Sequence, residues 1–332
     1  MIVLRGIHII FWRLLEFRKG VVVDTLHLYI KYYNMIKYNV KTVNDWLYNS
    51  NPIKKLYYNG RRVYRRFVAN GQPTPPTFDG KWKATYQDGH VTSAECDSSS
   101  AITSGEITKA NLVSVEIGDC VTSIGYSAFI NCTALTSITI SSSVTTINDL
   151  AFENCRSLTN ITIPDSVTSI GNSAFQSCTS LTSCTIGSGV TSIGRYVFRY
   201  CSGLTSIDIP SGVTSISNSL FEECSNLTTV TIGNSVTDIG SDAFYQCRNL
   251  KSVIIPSNVT NIQYRAFYQC VSLISVTVEA ITPPTINQNY GGIFNGSTSP
   301  IYVTAQSVEA YKSADGWNSY ASRIKPISEK PQ

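Results

Sequence analysis

Seven cysteines, Cys132, Cys155, Cys178, Cys201, Cys224, Cys247 and Cys270, stand 23 residues apart. Four more columns keep the same step. Leu112, Leu135, Leu158, Leu181, Leu204, Leu227, Leu250 and Leu273 open the units, and Val121, Val144, Val167, Val190, Val213, Val236 and Val259 follow nine residues later. Ile124, Ile147, Ile170, Ile193, Ile216, Ile239 and Ile262 come next, then Phe129, Phe152, Phe175, Phe198, Phe221, Phe244 and Phe267. The unit reads L-x-x-I-x-I-x-x-[SGN]-V-x-x-I-x-x-x-[AVL]-F-x-x-C-x-x, in seven copies without an insertion. A unit this short cannot bury its own apolar residues. Stacking units so that like positions lie over one another creates one continuous core, so the fold expected is a repeat solenoid.

Within a unit, apolar and hydroxylated residues alternate through Ile138–Ile140, as in a half-buried strand, and V-T-S-I reads as a second extended stretch. The A-F-x-x-C part has apolar spacing of three and predicts one turn of helix or 3₁₀ on the opposite side. Gly125, Gly171, Gly194 and Gly240 mark the bend before it, and Pro164, Pro210 and Pro256 end the first strand. Only 14% of residues are charged, and Ser, Thr and Asn carry most of the polarity, which suits a β-rich surface better than a helical bundle.

The Ile-Pro strand end and the A-F-x-x-C signature resemble the BspA-like subclass of leucine-rich repeats, over roughly residues 98–326. The resemblance implies a leucine-rich repeat solenoid, β-rich with short helical or 3₁₀ turns, that serves as a binding module on a bacterial surface or a virion. Ile301–Trp317 is similar to the terminal cap of such arrays, and Val308, Tyr311 and Trp317 are placed to cover the last open coil. At the other end, Lys81–Gln87 and His90–Cys96 flank Asp88-Gly89 and predict a capping hairpin. The organisation expected is a leader (1–34), a basic hairpin or attachment segment (35–70), a Pro-rich linker (71–79), an N-terminal cap (80–111), the solenoid (112–280), a C-terminal cap (281–326) and a tail (327–332).

Charge is unevenly spread. Residues 1–68 carry a net +10 and the remainder −6, within a formal total of +4. Ile7–Leu15 is apolar but interrupted by Arg13; a membrane span needs ~20 apolar residues, and no small-residue cleavage site follows. Met35 reads as a natural start, with 1–34 as upstream sequence. The segment from Met35 to Phe67 is similar to short N-terminal segments on repeat proteins of gut Bacteroidales and their phages. Asn59-Gly60 between two alternating runs predicts a small hairpin bearing Lys54, Lys55, Arg61, Arg62, Arg65 and Arg66. Basic residues interleaved with tyrosines superficially suit nucleic acid. No reader motif accompanies them, so anchoring or solubility is the preferred reading.

Signs of catalysis are scarce. The three histidines, His8, His27 and His90, stand far from any nucleophile pattern, and there is no phosphate loop, dinucleotide fingerprint or G-x-S-x-G. Asp208, Glu222, Glu223, Asp238 and Asp242 vary in repeat position and read as solvated surface, so no enzyme and no cofactor is expected. A line of cysteines cannot offer zinc four converging ligands, so no metal is expected either. The column reads as buried free thiols acting as small hydrophobes, with Cys184 in a strand core slot. Cys96 and Cys120 have no obvious partner.

Two surfaces remain for a partner. The strand face repeats hydroxyls, as in Ser137/Thr139 and Thr229/Thr231, which favour strands and keep the face soluble. The turn edge is diverse, with Tyr126, Arg195, Tyr196, Arg199, Tyr200, Tyr245, Arg248, Tyr264, Arg265 and Tyr268. Tyr and Arg are what interfaces enrich, so this edge is the candidate contact patch for a protein or a surface glycan. The alternative is a structural spacer attached through its basic N-terminal segment.

Overall fold

The computed structural model describes residues 56–58, 61–64, 80–96, 99–287 and 292–331. The leader, Met35 as a start and the linker 71–79 lie outside the described residues. The chain divides into two units, Met1–Thr77 and Phe78–Gln332. In the first, Leu56–Tyr58 pairs antiparallel with Arg61–Tyr64.

The second unit is a parallel solenoid of about ten turns. Its first ladder begins where Leu112–Ile117 pairs in parallel with Ser137–Thr139. It continues through Asn160–Ile163, Ser183–Ile186, Ser206–Asp208 and Thr229–Thr231. Ser252–Ile255 and Ser275–Val278 carry the same face onward. Each residue stands opposite the one 23 positions on, as in Ser114↔Ser137 and Ser206↔Thr229. A slip by one residue would turn the isoleucines outward, so the buried Ile column pins the register. Two-residue strands from Ala101–Ile102 to Thr285–Ile286 form the second wall.

The third wall is the A-F-x-x-C segment, and it is not a continuous helix. Two residues of each coil are left-handed, for example Ser127 (φ 52°) and Asn131 (φ 61°), or Tyr196 (φ 63°) and Tyr200 (φ 60°). Every second amide then points along the solenoid axis: Ser127, Phe129 and Asn131 donate to the carbonyls of Asp149, Ala151 and Glu153 in the next coil at 2.8–3.1 Å. The amides between them close 3₁₀-type turns, Ala128 to Gly125 and Cys132 to Phe129. Alternation of local and inter-coil bonds is what prevents a helix from propagating. Among the described residues, regular helix occurs only near the C-terminus, at Ala305–Ser307, Val308–Ser313, Trp317–Arg323 and Ile327–Glu329. The bend before the turn is tight: a Cβ on Gly194 would lie 2.6 Å from the amide nitrogen of Asn172 in the preceding coil.

The core is the set of columns read from the sequence. Phe129 to Phe267 stack with ring centroids 5.0–5.7 Å apart, and Phe294 joins as an eighth ring at 5.5 Å despite a longer spacing. Aromatic pairs at such distances add ~0.5–1.5 kcal/mol to their area burial. Thr145, Thr168 and Thr191 each turn the hydroxyl to a carbonyl of the preceding coil at 3.1–3.3 Å, which ties the columns together at the surface.

Both ends are closed. Trp82–Tyr86 pairs antiparallel with Val91–Ala94 and with Leu112–Ile117, so a hairpin covers the open strand edge. Lys81 is buried there and ion-paired to Glu106 at 3.1 Å. Cys96 and Cys120, unassigned from the sequence, form a disulfide that ties this cap to the first coil. Their partnership is invisible in the repeat because neither belongs to its cysteine column. At the far end Ile301–Val303 and Ile324–Pro326 extend the sheet. Tyr311 and Trp317 are fully buried and donate to the carbonyls of Ala280 and Pro284 at 2.8 and 2.7 Å.

Candidate functional site

The left-handed turns fix the edge chemistry because they set outward columns side by side. One column runs Ser173, Tyr196, Ser219, Asp242, Arg265, and a second runs Gln176, Arg199, Glu222, Tyr245, Tyr268. Residues 23 apart in a column are neighbours in space. Arg199 therefore meets Glu222, Nη2 to Oε1 at 2.7 Å, and Arg265 meets Asp242 through two contacts of 2.9 and 3.0 Å. The Arg199 guanidinium also lies 4.6 Å from the Tyr200 ring and 5.4 Å from that of Tyr196. Arg265 lies 5.1 Å from Tyr245 and 5.4 Å from Tyr264, and Tyr245 stacks on Tyr268 at 5.4 Å.

Ser219, a small residue, is buried in its column between the larger Tyr196 and Asp242. Its size leaves a cavity of about 330 Å³ lined by Tyr196, Arg199, Ser219, Glu222, Asp242, Tyr245 and Arg265. Burial raises the Asp242 carboxyl above its ordinary range against the opposing pull of Arg265. For Arg199 burial acts the other way, and the hydrogen bond and charge of Glu222 outweigh it, leaving the guanidinium more firmly charged.

Seven of the ten candidate contact residues, Tyr196, Arg199, Tyr200, Tyr245, Tyr264, Arg265 and Tyr268, belong to this set of contacts, which forms one cluster around Arg199 and another around Arg265. Tyr126 stands 64% exposed three coils before Arg195 and is not part of it. Arg195 is exposed on the neighbouring column, and Arg248 turns to Gln246 Oε1 at 2.6 Å. Glu222 and Asp242 correct the sequence expectation of solvated carboxylates: Asp242 is buried, Glu222 half-buried, and each answers an arginine one coil away. The 23-residue offset between opposite charges is the signal that would have found them. Asp208 conforms to that expectation and is exposed.

The cysteine column does more than fill space. Cys155, Cys178, Cys201, Cys224, Cys247 and Cys270 each donate the thiol to the phenylalanine carbonyl 26 residues earlier, at 3.0–3.2 Å. Burial raises their pKa values, that of Cys178 to about 12. For Cys155 the leading cause of its rise is the hydrogen bond with Cys132, which in turn lowers Cys132 at the head of the column. Burial raises Cys184 too. Among the described residues no His, Cys, Asp and Glu group could hold a metal ion, and no helix is long and apolar enough to cross a membrane.

A coil of this length, with two strand walls and a turn wall on stacked phenylalanines, defines a leucine-rich repeat protein. Residues 100–226 and 169–299 match the BspA type leucine rich repeat region, with six copies, and the chain belongs to that family. No curated protein matches it. Among solved structures it is similar to a leucine rich cell surface protein from Faecalibacterium prausnitzii A2-165, at 33% identity and a TM-score of 0.48, over 66% of this chain and 58% of that one. It is also similar to a leucine-rich repeat protein from Bacteroides ovatus ATCC 8483, at 22% identity and a TM-score of 0.50, over 79% of this chain and 71% of that one. The family implies a protein-interaction or adhesion-type module.

Proposed function

We propose that this chain is an exported, non-catalytic recognition module of a bacterial surface, which engages a protein or glycan through the turn edge of its later coils. The observation that carries the reading is the gathering of Tyr196, Arg199, Tyr200, Tyr245, Arg265 and Tyr268 into two clusters of guanidinium–ring and guanidinium–carboxylate contacts, members of which line one cavity. Tyr and Arg are enriched among the hot spots of interfaces. Side chains already held by one another lose less freedom when a partner arrives, so less affinity is lost to ordering. The Cys96–Cys120 disulfide supports an oxidising compartment, since such bonds persist outside the reducing cytosol. Export also agrees with a chain that leaves its other thiols buried, where oxidants reach them poorly.

The test is binding of the fluorescently labelled full chain to intact bacterial cells and to mucin-coated surfaces. The combined Tyr196→Ala, Tyr200→Ala and Tyr268→Ala variant should bind at least tenfold more weakly while keeping its melting temperature within a few degrees. Undiminished binding would transfer recognition away from this edge.

A further inference from the structure

A partner docking on the turn edge would meet the cavity over Ser219, whose lining selects its chemistry. We propose that this cavity holds one or two ring units of a neutral saccharide, an inference that rests on the edge being the recognition face. Its volume of about 330 Å³ falls at the small end of ligand pockets, which run from ~300 to 1,000 Å³.

The lining is charged but internally balanced, with two guanidiniums against two carboxylates, each paired at 2.7–3.0 Å. An anionic ligand would meet Glu222 and Asp242, and a cation would meet Arg199 and Arg265. An apolar ligand would strip water from both ion pairs and return nothing. A hydroxyl is donor and acceptor at once, so a polyol can bond to both members of a pair without parting them. The Arg199 Nε proton is buried without a hydrogen-bond partner among the described residues, which leaves a donor for such a group. The exposed wall of the cavity is mostly polar, so a ligand rich in hydroxyls matches it better than an apolar one.

Ser219→Tyr is the discriminating variant. It plugs the cavity with the side chain that the preceding coil already carries at Tyr196, in the same left-handed conformation (φ 63° at Tyr196, 52° at Ser219), so the coil can accept it. Affinity electrophoresis of the full chain through gels holding mannan, dextran, xylan or galactan should show retardation by at least one of them. Ser219→Tyr and, separately, Tyr245→Ala should weaken that retardation at least tenfold, with melting temperatures checked for both. Heparin gels report the +10 head and should not distinguish Ser219→Tyr from the parent. The saccharide is overturned if no neutral polysaccharide retards the chain, or if Ser219→Tyr leaves neutral retardation intact. It is overturned equally if Ser219→Tyr weakens only heparin retardation. Cell binding that needs the three tyrosines, with no neutral polysaccharide bound, would keep the recognition edge and assign it a protein partner instead.

Discussion

Phe198 and Tyr200 lie two residues apart in one turn, yet the columns they belong to behave in opposite ways. The inner column is phenylalanine in every coil, stacked and fully buried. The outer one runs Asn131, Asn154, Ser177, Tyr200, Glu223, Gln246 and Gln269 on the same left-handed backbone. In the neighbouring outer column, Asp149 bonds to the Asn172 amide of the next coil and Asn172 to that of Arg195. Rings and guanidiniums gather on the outer side of the coils from Tyr196 to Tyr268. The backbone is indifferent to this change because inter-coil amides and the inner columns hold it. The columns that stabilise the fold and those proposed for recognition are therefore separate, and they should respond to different perturbations.

The largest effect should come from alkali, which acts on the inner side through its buried thiols. Seven thiols, Cys155, Cys178, Cys184, Cys201, Cys224, Cys247 and Cys270, have folded pKa values raised above the ordinary 9. Between pH 9 and about 12 the unfolded chain releases these protons and the folded one retains them. The stability they contribute is complete below pH 9 and is lost as pH climbs through that window, at ~1.4 kcal/mol per thiol per pH unit. Denaturant unfolding followed from pH 8 to 11 should show a steep fall; a flat profile would mean that the thiols are not buried as a column. Phe198→Ala should cost ~3–5 kcal/mol in the same assay, whereas Tyr200→Ala should cost under ~1 kcal/mol. Equal losses would erase the distinction between the columns. Replacing Cys96 and Cys120 together by serine should remove ~3 kcal/mol, with hydrogen exchange quickening at the N-terminal cap rather than along the array. The smallest change tests the edge backbone. Leu150 is left-handed (φ 59°) and asparagine tolerates that region, so Leu150→Asn should raise stability by ~0.5–1 kcal/mol.

The inner columns were legible because stacking forces identity: a Phe or Ile of one coil must sit on its equivalent, and the period prints that demand on the chain. The turn wall was half legible. Apolar spacing of three marked the buried side, but left-handed residues at Tyr196 and Tyr200 left no trace, since the backbone geometry comes from inter-coil amides rather than from glycine. The edge residues could be named individually, and what escaped was their pairing. Glu222 and Asp242 looked like solvated carboxylates until the coil placed each beside an arginine 23 residues away. The Cys96–Cys120 bond escaped for a related reason, as it joins a cap to a coil and follows no period.

The separation of the two roles can be tested in one variant, made by giving the Tyr196 coil the outer residues of the coil before it. Tyr196→Ser, Arg199→Gln and Tyr200→Ser reproduce Ser173, Gln176 and Ser177, which the same backbone already carries. The decisive measurement is the cell-binding isotherm of this variant, taken once its melt shows an intact solenoid. At least a tenfold loss of affinity with the melting temperature nearly unchanged is the predicted result. Full affinity in the folded variant would contradict the account and remove the turn edge as the site of recognition.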